Sequence, residues 1–172
     1  IQGVRVEELS PMPADVRGDP DWPGEEVPRT SLPIVVGRLG KPGGRRIVLV
    51  GHTDVVPVGD PSTWSVDPWG AEIRGDDVYG RGACDMKGGV AAILSTIRVL
   101  VASEAVDSLT GEVLVAFVPS EEDGGQGMLA AVRAGATGDM AVITEQSNVE
   151  VVVEDAGALS LRMTMPGRAA HA

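Results

Sequence analysis

Four short segments carry side chains that can hold divalent cations and move protons. Gly51-His52-Thr53-Asp54 offers an imidazole and a carboxylate two residues apart. Gly82-Ala83-Cys84-Asp85 offers a carboxylate in a glycine-rich turn, Ser120-Glu121-Glu122-Asp123 a run of three acids, and Thr144-Glu145 one more. Residues two apart in an extended segment share a face, so the Asp54 carboxylate can accept the second imidazole N–H of His52 and fix the ring's tautomer. Adjacent acids such as Glu121 and Glu122 point in different directions. One can bind a cation while the other reaches a reacting water. Each group also has a plainer reading: a lone histidine is more often a hydrogen-bonded core residue, an Asp before a helix is a favoured N-cap, and paired glutamates suit a solvated loop.

The surrounding elements favour the chemical reading. Ile47-Val48-Leu49-Val50 is apolar without alternation, as in a strand covered on both faces, and it runs directly into His52. Residues 113–118 and 140–144 have the same character; the first run leads to Glu121-Glu122 and the second to Glu145. Apolar positions Val90, Ile93, Leu94, Ile97, Leu100 and Val101 recur at helical spacing over 87–101, and 126–134 suits a shorter helix. Strands alternating with helices predict an α/β fold with a partly parallel sheet and helices on its faces. In such sheets ligands gather outside the carboxyl ends of the strands. Residues 1–9 suit a further strand and 10–30 an irregular connection, while Lys41-Pro42-Gly43-Gly44 suits a hairpin turn between strands at 32–39 and 46–50. Leu159, Leu161, Met163 and Met165 alternate with Ser160, Arg162 and Thr164, the pattern of a half-exposed strand opening another domain. The expected division is 1–155 and 156–172.

Composition narrows the function classes. Aromatic residues are only 3% of the chain, so Val, Ala, Ile and Leu must build the core. Fourteen Lys plus Arg against 25 Asp plus Glu give a formal charge of -11, which repels nucleic acid and anionic membrane surfaces; neither is an expected partner. Cys84 stands alone, so no internal disulfide can form, and a reducing cytoplasm is the expected location. No apolar run reaches the ~18 residues of a membrane-spanning helix.

Taken together, Gly51-His52-Thr53-Asp54-Val55-Val56-Pro57, Trp64, Asp67-Pro68-Trp69 and Tyr79-Gly80-Arg81-Gly82-Ala83-Cys84-Asp85-Met86-Lys87-Gly88-Gly89, followed by Glu121-Glu122 and Glu145, resemble the acetylornithine deacetylase/succinyl-diaminopimelate desuccinylase family. That family also includes aminoacylases, dipeptidases and glutamate carboxypeptidases. The resemblance implies a mixed, mostly parallel sheet with flanking helices as the catalytic domain, then a small α+β lid or dimerisation domain of which only the first strand is here. It implies a hydrolase that cleaves an amide or peptide bond of an N-acyl amino acid or small peptide with two zinc ions, Co2+ or Mn2+ being possible substitutes. His52 and Glu145 would hold one zinc, Asp85 would bridge both, and Glu122 would hold the second. Asp54 would orient His52, and Glu121 would be the general base. The Asp85–Met86 bond would be cis. His171, matching the lid, would cross a homodimer interface and stabilise the intermediate in the partner's site.

The chain departs from that pattern in three places. Its two histidines, His52 and His171, leave the family's remaining histidine ligand unaccounted for, and helices that normally precede the first strand are absent. Gln146 stands where the family often has proline. The expectation is an internal piece of a protein about twice as long, inactive by itself because it lacks a ligand to the second zinc and exposes apolar sheet edges.

Overall fold

The computed structural model describes every residue except Gln2, Asp155, 158–160, Arg162 and 169–172. In chain order the elements are β1 (Arg5–Leu9), α1 (Pro13–Val16), β2 (Ile34–Gly40), β3 (Arg46–His52), β4 (Glu72–Arg74), β5 (Asp77–Tyr79), α2 (Gly88–Ala102), α3 (Ala105–Ser108), β6 (Glu112–Val118), α4 (Gln126–Arg133) and β7 (Met140–Ile143). Five strands form one sheet in the order β1-β2-β6-β3-β7. β3 is parallel to both β6 and β7, whereas β2 is antiparallel to both β1 and β6. Four strands therefore run one way and β2 alone opposes them. This is the mixed, mostly parallel sheet with flanking helices that the sequence implies.

Alternation along the central strands feeds two cores. Val48, Val50, Leu114, Ala116 and Val118 face one side and pack with Val16 of α1 and Ala130 and Ala131 of α4. Ile47, Leu49, Val113, Val115 and Phe117 face the other, against Ile93 and Ile97 of α2 and Val106 of α3. Small aliphatic side chains thus cover both faces without help from large aromatics. Because α2 spends its buried stripe on Ile93 and Ile97, Leu94 stays exposed.

Two expectations are corrected. Residues 41–44 do not close a hairpin, because β6 inserts between β2 and β3. The connection straddles the start of β6: Lys41 N–H donates to the Gly111 carbonyl and Glu112 N–H to the Arg45 carbonyl. A side chain at Gly44 would run into the Thr110 carbonyl, and one at Gly111 into the Arg45 carbonyl, so the crossing needs glycine at both positions. β7, expected to be covered on both faces, is an edge strand whose Met140 and Ile143 are 61% and 63% exposed. One element went unread: β4 and β5 pair as an exposed antiparallel hairpin about Gly75, whose φ is +62°. The expected strand over 159–165 falls partly outside the described residues; the described Leu161 and 163–168 form no regular element.

Candidate metal centre

β3, β6 and β7 are neighbours in the sheet, run in parallel and end on the same side. His52 is the last residue of β3 and pairs in register with Val118, the last of β6. The chain continues from β6 through buried Pro119 and Ser120 into Glu121 and Glu122, and from β7 through Thr144 into Glu145. The topology thus delivers three of the four singled-out segments to one edge. The fourth arrives through a wide helical turn over 83–87 that precedes α2, where the Asp85–Met86 peptide is cis. Met86 is buried beneath the site, its sulfur accepting the His52 backbone N–H at 3.0 Å. Gly89 lets α2 meet the end of β7: a side chain there would collide with the Thr144 carbonyl next to Glu145.

Asp85 is not the helix cap. The cap position of α2 is Lys87, without a side-chain bond, and Asp85 instead faces His52. His52, Asp85 and Glu122 each present a ligand atom, all within 4.8 Å of one another. Glu145 Oε1 and Glu121 Oε2 lie 3.7 Å and 3.9 Å from His52 Nε2. Asp54 sits on the other side of the ring, but its main-chain carbonyl is the nearer acceptor for Nδ1, at 2.9 Å, with the carboxylate 3.6 Å away. That carboxylate has a different use: it accepts the N–H groups of Glu121 and Glu122, each at 3.2 Å. His171 lies outside the described residues. Four contacts have no signal in the local sequence. Arg29 reaches Asp54 and Asp123, the Ser120 hydroxyl donates to Asp123, and Gln146 Nε2 donates to Asp85 Oδ2 at 3.1 Å.

The fit to a cation follows from the histidine's two partners. Nδ1 faces a carbonyl, which can only accept, so Nδ1 carries a hydrogen. Nε2 faces the Asp85 carboxylate at 2.8 Å, so something positive must sit between them: a second proton or a metal ion. Burial opposes the charged ring, yet the Asp85 carboxylate, the Asp54 carbonyl and the charges of Glu121 and Glu145 outweigh it and raise His52 above the usual 6.5. Burial also raises Glu121 and Glu145 above the usual 4.5; His52 pulls both down, and neighbouring carboxylates push them up again. An imidazole nitrogen among crowded carboxylate oxygens is a donor set that suits a divalent ion of the zinc type.

All three groups bind protons more tightly folded than unfolded, so stability falls as pH rises. The glutamates' contribution is complete below 4.5 and that of His52 below 6.5, and each is lost upward through the raised value. In chelator, the melting midpoint should therefore fall as pH rises past 4.5 and again past 6.5, while the gain from saturating Zn2+ grows, because metal takes the place of protons. Midpoint curves with and without Zn2+ that run parallel across this range would contradict the assignment of these groups to a cation site.

Residues 48–163 match the profile of peptidase family M20/M25/M40. The chain belongs to this family. The stretch matched to M20/M25/M40 contains His52, Asp54, Asp85, Glu121, Glu122 and Glu145, and membership implies a divalent metal at the centre. Over 161 residues the chain is 35% identical to a succinyl-diaminopimelate desuccinylase of Gluconacetobacter diazotrophicus, covering 86% of this chain and 40% of that one. Over 101 residues it is 43% identical to succinyl-diaminopimelate desuccinylase 2 of Ruegeria sp., covering 58% and 25%. It thus spans a quarter to two-fifths of the length of these curated relatives. Human carnosine dipeptidase 1 has the same fold, with a TM-score of 0.62 over 84% of this chain and 30% of that one at 24% identity. Among the described residues no helix is long and apolar enough to cross a membrane.

Proposed function

We propose that the intact protein is a metal-dependent hydrolase cleaving the amide or peptide bond of an N-acyl amino acid or small peptide. The observation that carries this is His52 Nε2, held 2.8 Å from Asp85 with Glu121 and Glu145 within 4 Å, at the ends of three parallel strands in an M20/M25/M40 chain. His52, Asp85, Glu122 and Glu145 would hold the metal, which would supply the Lewis acid at this centre. When bound, two zinc ions would acidify a water and polarise the substrate carbonyl. Glu121 takes the proton from the attacking water and passes it to the leaving amine. The Asp54 carbonyl keeps His52 Nδ1 protonated and Nε2 aimed inward. The lid division at 156–172, homodimerisation with His171 reaching the partner's site, and a cytoplasmic location belong to the same reading.

Relatives named desuccinylases make N-succinyl-diaminopimelate the first substrate to try, followed by N-acetyl amino acids and dipeptides. Protein purified without chelator should carry two zinc ions per polypeptide by elemental mass spectrometry. Amine release should stop on chelation and return with Zn2+ or Co2+. Hydrolysis indifferent to chelation, or a chain that takes up no metal, would end this reading.

A further inference from the structure

Residue 29 lies in the Pro-, Asp- and Gly-rich connection before β2, outside the stretch matched to the family, and nothing in its neighbours marks it for function. Its guanidinium nevertheless reaches beneath the metal centre. Nε donates to Asp123 Oδ2 at 2.8 Å; Nη2 lies 2.5 Å from the same oxygen and 3.5 Å from Asp54 Oδ2. Both carboxylates are largely withdrawn from water, their side chains 8% and 10% exposed. We propose that Arg29 is a positioning residue for the metal centre, forking between Asp54 and Asp123 so that these two acids hold the Glu121–Glu122 turn and the His52 ring in the geometry that receives cations. The inference rests on the metal-centre reading above.

The two acids hold the His52 ring and the Glu121–Glu122 turn. Asp54 accepts the backbone N–H of Glu121 at one oxygen and that of Glu122 at the other, and its carbonyl accepts His52 Nδ1. Asp123 accepts the Ser120 hydroxyl, and Gly125 N–H donates back to the Ser120 carbonyl, closing the turn. Ser120 has a φ of +64°, so this turn relies on its partners to persist. Four further acids, Asp85, Glu121, Glu122 and Glu145, belong to the same centre. Among the described residues Arg29 is the sole Lys or Arg ion-paired with any of the six. Without it, two buried carboxylates would repel each other and the centre, and the turn would relax outward. A planar guanidinium bridges two carboxylates with its donors fixed in one plane; an ammonium supplies the charge without that fixed geometry.

The test compares Arg29→Ala, Arg29→Lys and Arg17→Ala in the intact protein. Arg17 ion-pairs with Glu25 in the same connection and touches nothing in the centre, so its loss loosens the connection alone. Co2+ is titrated into metal-free protein and followed by its visible absorption, Zn2+ affinity is measured by competition, and melting midpoints are taken in chelator. Arg29→Ala should bind both metals about 10- to 100-fold more weakly with an altered cobalt spectrum. Arg29→Lys should regain stability but only part of the affinity, and Arg17→Ala should match wild type in affinity and spectrum. If Arg29→Ala does not fold, Arg29→Lys decides alone. Wild-type affinity and spectrum in an Arg29 variant, or an equal loss in Arg17→Ala, overturns the positioning role and leaves the metal centre standing. A wild-type protein that binds neither metal removes both.

Discussion

Glu121→Ala should lower turnover about a hundred- to ten-thousand-fold, the usual worth of a positioned general base, while metal content stays that of wild type. The two halves of this expectation come from different features. Glu121 stands outside the His52, Asp85 and Glu122 triad of ligand atoms, and its side chain is half exposed, so it can reach substrate water without serving as a ligand. Burial and the charges of Glu122, Asp54 and Asp85 raise its carboxyl above 4.5 against the pull of His52. A carboxylate tuned upward is a better proton acceptor near neutral pH. Glu121→Gln, equal in shape and unable to take a proton, should be as inactive as alanine. Metal content is measured on the same samples. Either variant keeping more than about a tenth of wild-type turnover would remove Glu121 from the proton-transfer role. Loss of metal along with turnover would make it a ligand instead.

What could be read in advance follows the range of the interactions involved. The gathering of His52, Asp85, Glu122 and Glu145 was legible because each adjoins a segment whose own pattern is local: the apolar runs of β3, β6 and β7, and the helical spacing of α2. Parallel strands carry such residues to one edge wherever the strands sit in the sheet. The order of strands is another matter. Nothing within 41–44 reveals that β6 passes between β2 and β3, because Gly111 and Glu112, the backbone partners of Lys41 and Arg45, are distant in sequence. β7 reads as buried because Met140, Ala141, Val142 and Ile143 are all apolar, and exposure at a sheet edge leaves no mark in composition. The β4–β5 hairpin did carry a local signal, Gly75-Asp76 between short strand-like triplets, which its charged residues obscured. Asp54 was identified as the partner of His52, but by the wrong atoms. Two-residue spacing gives the face of a side chain and says nothing about which oxygen comes nearer, or that the N–H groups of a distant turn will claim the carboxylate.

Glu112 shows the same limit at the opposite end of β6 and carries the largest expected loss of stability. It is 5% exposed, yet nothing in the apolar run it begins marks it as charged and buried. Three strands each send it an arginine. Arg46 of β3 donates to Oε2 at 2.6 Å, Arg5 of β1 to Oε1 at 3.1 Å, and Arg38 of β2 lies 3.6 Å from Oε2. The carboxylate therefore ties β6 to the strands on both of its sides and to β1 beyond. Glu112→Gln preserves volume but leaves the partly buried Arg38 and Arg46 without a counter-charge. That should cost about 3 kcal/mol, the low end for breaking a buried pair because Arg5 is 60% exposed and can turn to water. In a domain of this size the melting midpoint should fall by about 6–12 °C. Glu112 and the metal-bearing end lie at opposite ends of the seven-residue β6, roughly 20 Å of strand, so Zn2+ affinity should not change at temperatures where the variant is folded. An unchanged midpoint would mean that the arginines are content in water, and the cluster would then be a consequence of the strand order with no part in holding it. A loss of Zn2+ affinity in the folded variant would mean that β6 transmits strain along its length, and that the two charged ends of the sheet are not independent.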